Sequence, residues 1–241
     1  MSNHVRSAAY AAYHNLATQG LTVGRSHLTE IIAALLGYRT YAALAVEEAD
    51  PRVEYHLGEA EIVVLNLPMG TTRVAELGLG VAPSVITAAC VEALKAGAGL
   101  ASVFVGVAEF YDSHAREALA EAIYSADDVA GAMAESNATF PDEPEMDIEC
   151  PSTPDLWAAV EEWTIEGNGT MTGEYDPDGD RMFNGDKLNC RGWLTYRKAG
   201  RAGLVLVEGG GMAGADDSWR DQDRDDEWAY QQNLLGEQPG S

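Results

Sequence analysis

The sequence predicts an α+β protein: an N-terminal three-helix module, a mixed α/β middle, and a C-terminal antiparallel β-meander with a covering helix. Three observations carry this prediction. Apolar residues recur at helical spacing through residues 2–50, short β-branched runs interrupt helical ones from 53 to 138, and apolar–polar alternation takes over after 155. The expected divisions are therefore 1–50, 53–138, an acidic proline-bounded linker at 139–154, and 155–241.

In the first segment, Val5, Ala8, Ala9, Ala12, Tyr13 and Leu16 share one helical face, and Gly20 ends the run. Ser26 is placed to cap a second helix carrying Leu28, Ile31, Ile32, Leu35 and Leu36, which Gly37 stops. A third helix begins near Thr40 and carries Tyr41, Leu44 and Val46 as far as Asp50-Pro51. Leu35, Leu36, Tyr41 and Leu44 are its expected contacts with the second helix.

The middle segment opens with the β-branched run Ala60–Leu65, closed by Pro68 and Gly70. Helices follow through Arg73, Val74 and Leu77, and from Pro83 to Leu94. A second strand spans Ser102–Val107, and helices are expected around Phe110–Ile123 and Asp127–Ala134. Pro141–Pro154, with Asp142, Glu143, Glu145, Asp147 and Glu149, reads as an exposed linker.

Beyond it, Trp163, Ile165, Met171 and Tyr175 alternate with polar residues, as do Leu188, Cys190, Leu194 and Tyr196. A turn at Lys198–Arg201 leads to a third strand, Gly203–Val207, and an acidic helix from about Asp217 to Leu235 is expected to cover the sheet through Trp219, Trp228, Tyr230 and Leu234.

Charge narrows the function classes. The chain of 241 residues has 39 acids against 15 Lys+Arg, a formal charge of −24. Such a field repels phosphate, so direct contact with nucleic acid or an anionic membrane is not expected. The asymmetry is regional: residues 101–180 hold 20 acids and one base, Arg116. A helix-turn-helix reading of the second and third helices fails for the same reason, because Glu47 and Glu48 would face the phosphates. The start of the chain lacks a basic and apolar leader, no apolar stretch reaches a membrane span, and three widely spaced cysteines form neither a zinc pattern nor a disulfide framework. A reducing cytoplasm is the expected compartment.

The run Ser26-His27-Leu28-Thr29-Glu30, an aliphatic stretch, Gly37-Tyr38, then Tyr41 and Ala43-Leu44 carries a resemblance. It is similar to the glyoxalase-related helical domain found beside glyoxalase-like modules and in uncharacterised proteins of bacterial mobile elements. The resemblance covers about the first fifth of the chain and implies a helical module without catalytic residues. His27 is read as a capping or packing residue.

Four features bear on chemistry. Asp176, Asp178 and Asp180 form an acidic turn that offers hard oxygen ligands to Ca2+ or Mg2+, the one cofactor possibility in the chain. It departs from an EF-hand, with Arg181 at the glycine position and Lys187 where the bidentate Glu belongs, and an acidic hairpin loop is the simpler reading. Gly209–Gly214 satisfies the spacing of a dinucleotide fingerprint, but acids follow it and a flexible connector is expected. Asp112-Ser113-His114 cannot form a triad, because adjacent helical positions do not face one another. Glu109, Asp112, Glu117 and Glu121 can form a row of carboxylates on a helix, a surface for a basic protein partner.

The leading expectation is an acidic, cytoplasmic, nonenzymatic interaction or regulatory protein, accessory to a bacterial mobile element. One alternative is a DNA mimic of the anti-defence type that inhibits a basic nucleic-acid-binding protein. The other is a divalent-metal-dependent enzyme using Asp176, Asp178 and Asp180.

Overall fold

The structure is a computed structural model that describes residues 2–99, 101–136, 138–175 and 186–216. The fold is α+β. Helices α1 (Ser2–Thr18), α2 (Arg25–Leu35) and α3 (Tyr41–Glu48) precede strand β1 (Ile62–Leu65). Helices α4 (Leu67–Leu77) and α5 (Pro83–Gly97) lead to β2 (Ser102–Val105). Next come α6 (Gly106–Phe110), a π-turn (Tyr111–Ala115), α7 (Arg116–Tyr124) and α8 (Asp127–Glu135). The remaining strands are β3 (Ala138–Thr139), β4 (Glu145–Met146), β5 (Glu162–Thr172), β6 (Glu174–Tyr175), β7 (Lys187–Ala199) and β8 (Gly203–Ala215). The main sheet is mixed, in the order β2-β1-β8-β7-β5-β4, and β3 pairs with β6. No helix of the described residues is long and apolar enough to cross a membrane.

The chain divides into two compact units. The first comprises 1–119, 148–166 and 193–209. In it β1 and β2 run parallel, Ile62 opposite Ser102 through Leu65 opposite Val105, and α4 and α5 supply the crossover that parallel pairing demands. The turn at 200–202 returns the chain from β7 into β8, whose first residues pair antiparallel with β1. α1 packs on α5 and α2 on α4, so the buried residues of 5–44 and 60–93 form one continuous core. Ile31, Ile32 and Leu35 of α2 are fully buried at its centre, each contributing about 1.5–3 kcal/mol of transfer free energy.

The stop after α2 shows how local chemistry sets this architecture. Gly37 adopts φ +85, the Tyr38 N–H bonds to the Ala33 carbonyl, and the Gly37 N–H bonds to the Ala34 carbonyl. That pair of bonds is a Schellman motif, and its left-handed residue is strained for anything but glycine. The cap at the other end differs from expectation. Gly24, not Ser26, is the N-cap of α2; it makes no side-chain cap bond, and Ser26 sits exposed in the first turn. α3 starts as expected, with the Thr40 hydroxyl accepting from the Ala43 N–H at 3.1 Å. Leu35, Leu36 and Leu44 are buried, Tyr41 is half-buried, and Val46 points into solvent.

A second cluster in this unit is aromatic. Phe110 meets Tyr196 edge-on at 5.9 Å and Trp163 at 6.1 Å, while His114 stacks on Phe104 at 5.9 Å. His114 therefore packs as an aromatic ring.

The second unit comprises 120–147, 167–192 and the chain from 210. Its described sheet face carries glycines where side chains would normally stand. A Cβ on Gly192 would lie 2.6 Å from Ile123 Cγ1, and one on Gly211 would lie 2.6 Å from Ile123 Cα. The end of α7 thus rests directly on the strand backbones. This corrects the connector reading of Gly209–Gly214: the run continues β8, and within it Gly211 leaves room for Ile123 at the end of α7. Part of the acidic segment expected as a linker is also folded. β4 pairs antiparallel with β5, Met146 opposite Gly169, and Phe140, Pro144 and Met146 are buried while Asp142 and Glu143 stay exposed. The acidic helix expected from Asp217 lies outside the described residues.

Candidate functional site

A cleft of about 850 Å³ opens in the first unit, beside the turn that joins β7 to β8. Its lining includes Arg52, Trp157, Glu161, Arg197, Lys198 and Arg201. Four cations on one cleft are unexpected in a chain this acidic, and Lys198 is the residue that period-2 alternation puts out of place. Along β7 the alternating buried positions are Leu188, Cys190, Gly192, Leu194, Tyr196 and then Lys198, with Ala199 buried beside it at the strand's end. A lysine thus occupies a core position with only 5% of its surface exposed.

Its amine is held from the turn. Lys198 Nζ donates to the Arg201 carbonyl at 2.8 Å, while its backbone N–H bonds to the Glu161 carbonyl. Burial drives the ammonium toward its neutral form, down to about 7, against the opposing fields of Glu47 and Asp155. Near neutral pH a substantial fraction is therefore a free amine with an available lone pair. That is the state in which lysine acts as a nucleophile or a general base.

Tyr38, placed by the Gly37 turn, braces the opposite side. Its hydroxyl donates to Glu47 Oε1 at 2.7 Å and accepts from the Arg201 N–H at 3.1 Å. Burial and the bond to Glu47 push the phenol well above its ordinary value, so it stays a neutral donor. The Arg201 guanidinium lies 5.3 Å from the Tyr38 ring centroid, a cation–π contact. Trp157 forms a wall, fixed because its Nε1–H donates to the Val64 carbonyl at 2.9 Å.

The arginines are spent unequally. Arg52 grips Asp50 with two bonds of 2.9 and 2.7 Å and holds that carboxyl down at about 2. Arg197 reaches Glu162 only at 3.3 Å and Glu54 at 3.8 Å, and Arg201 reaches Glu47 at 3.8 Å. These longer separations leave guanidinium donors without the short, bidentate carboxylate bonds that Arg prefers.

Among the residues singled out in the sequence, the acid row divides. Glu109 accepts from Lys95 at 3.0 Å and from the Val105 N–H at 2.6 Å. Partial burial opposes its ionisation, yet those two donors hold its carboxyl below the ordinary range. Asp112, in the π-turn, and Glu117 and Glu121, on α7, are exposed and make no ion pair among the described residues. Asp176, Asp178 and Asp180 lie outside the described residues. Among the described residues, no group of three or more His, Cys, Asp or Glu could hold a metal ion. Gly209–Gly214 lies within a strand, and the strand–turn–helix geometry of a dinucleotide site is absent there. His27 is exposed. Cys90, Cys150 and Cys190 are free, and burial raises all three thiols, which suppresses thiolate chemistry.

Sequence reading missed Lys198 by one step. Extending the alternation of Leu194 and Tyr196 by two residues would have placed it in the core, whereas the dipeptide Ala199-Gly200 drew the turn too early. The actual turn spans 200–202. With the cleft and the acid row in place, comparison with known proteins adds no relative: no family model matches the chain, and neither a curated protein nor a solved structure matches it.

Proposed function

We propose that the protein is a cytoplasmic interaction protein, accessory to a bacterial mobile element, that works by docking a basic protein partner on its acidic surface. One observation carries the reading. Within the second unit, ten of the eleven described carboxylates are exposed, against two described cations, Lys187 and Arg191. A negative field of that density raises the encounter rate of a basic surface and releases counterions on contact. The resemblance of Ser26–Leu44 to the glyoxalase-related helical domain supports the mobile-element context. Exposure of Asp112, Glu117 and Glu121 favours the decoy form of this function, in which carboxylates on a helix stand in for DNA phosphates.

Co-purification from the native host at low and high salt tests it. A basic protein should be recovered at low salt and released at high salt. Charge reversal by Asp112→Lys, Glu117→Lys and Glu121→Lys should weaken that recovery by about tenfold and flatten its salt dependence. Reversal of Asp142, Glu143 and Glu145 should do less. Recovery of no basic partner would overturn the reading, and greater damage from the second set would overturn its decoy form.

A further inference from the structure

We propose that the cleft beside the β7–β8 turn captures a small carbonyl compound bearing a carboxylate, an aldehyde acid or 2-oxo acid, through an imine formed on Lys198. The inference goes beyond partner docking and rests on different residues.

Three observations point to this chemistry. The strand register forces an amine into a core position at a cleft large enough for a small metabolite. The amine keeps one short hydrogen bond, to the Arg201 carbonyl, which orients Nζ without consuming its lone pair. The groups around it are Glu47 from α3, Asp155 and Glu161 from the segment before β5, Tyr38 after α2, Arg201 in the turn and Arg197 on its own strand. Desolvation is what favours the neutral, nucleophilic amine here, against the opposing fields of Glu47 and Asp155. The incompletely bonded guanidiniums of Arg197 and Arg201 supply the second half of the specificity. A ligand carboxylate can take donors that Glu54, Glu162 and Glu47 hold only at 3.3–3.8 Å. Arg52, already locked to Asp50, cannot serve.

The step balances without an oxidant or reductant. The neutral Nζ adds to the carbonyl carbon, the C=O π pair moves to oxygen, and one amine proton follows it to give a carbinolamine. The nitrogen lone pair then expels that oxygen as water, which leaves with the second amine proton. The products are the imine and one water.

The chain contains three lysines, Lys95, Lys187 and Lys198, so the test carries its own controls. The full chain is incubated at neutral pH with glyoxylate and cyanoborohydride, which delivers hydride to the imine carbon and fixes a carboxymethyl group on nitrogen. Peptide mass mapping then follows each lysine over time. Lys198 should be modified about tenfold faster than Lys95 or Lys187, as expected for the least protonated amine, although their side chains are 42% and 48% exposed. Replacing glyoxylate by acetaldehyde, or introducing Arg197→Gln, should lower the preference to the part that low protonation alone supplies, while leaving Lys95 and Lys187 unchanged. Modification of Lys198 no faster than the other two would overturn imine capture. An unchanged preference with acetaldehyde and in Arg197→Gln would overturn carboxylate recognition.

Discussion

The two units handle charge and close packing in opposite ways. In the first, cations are distributed among named carboxylates: Arg73 between Glu30 and Glu76, Lys95 on Glu109, Arg52 on Asp50. In the second, exposed carboxylates outnumber the described cations, and Lys187 stands 3.9 Å from Asp216. Packing differs in the same sense. The first unit fills its interior with aliphatic side chains from α1, α2, α4 and α5, whereas the second seats Ile123 on bare glycine backbone. The lesson is that glycine serves two separate purposes here. Gly37 is needed for its dihedral angle, Gly211 for its missing side chain.

Substitution at those two glycines separates the purposes and has the largest expected effects. Gly37→Val should cost about 3 kcal/mol, combining left-handed strain with crowding against Trp157 and Arg201 at 3.0–3.2 Å. Gly37→Asn should recover part of that loss, since Asn tolerates the left-handed region. Gly211→Val should cost about 2–3 kcal/mol by lifting α7 off the strand, and Gly211→Asn should recover nothing. Gly214→Val, with open space around its Cβ, should stay within about 0.5 kcal/mol. Urea unfolding of the five variants measures all of this. Rescue by Asn at both glycines, or at neither, would remove the distinction.

Lys198 gives the next largest effect, and its direction is fixed by the proton balance. Burial holds its pKa at about 7, below the 10.5 of a solvated lysine. Between those values the unfolded chain binds a proton that the folded chain lacks, so this site adds stability as pH rises. Below pH 7 both states hold the proton and the full desolvation cost is present. The stability of the native chain relative to Lys198→Met should therefore climb by about 2 kcal/mol or more from pH 7 to pH 10. A flat difference across thermal melts in that range would place the ammonium in contact with solvent.

The smallest effect compares one acid from each unit. Glu109→Gln should destabilise by about 0.5–1 kcal/mol, because Lys95 and the Val105 N–H lose a charged acceptor at a partly exposed site. Glu121→Gln should be neutral or slightly stabilising, within about 0.5 kcal/mol, since it only relieves repulsion. Equal losses at both positions would mean that the second unit pairs its acids as the first does.

The amino-acid sequence by itself determined everything that a periodicity of a few residues can encode. The buried face of α1, the stop at Gly37, the Thr40 cap, the existence of strands β1 and β2, and the alternation in β5 and β7 all follow from neighbours within one or two turns of chain. The division of roles among the acids did not, because Glu109 becomes structural only when Lys95 and the start of α6 converge on it. Tertiary structure alone decided that Gly209–Gly214 is strand: isolated, a glycine run reads as a flexible connector, and its reason is Ile123, far back in the sequence. It also decided that Met146 is buried, because β4 finds its partner across the intervening chain at Gly169. Lys198 joins the two levels. Its inward position is written in the alternation of β7, but its altered acidity and its cleft arise only where α3, the segment before β5 and the β7–β8 turn meet, since desolvation depends on what surrounds an amine and not on its place in the chain.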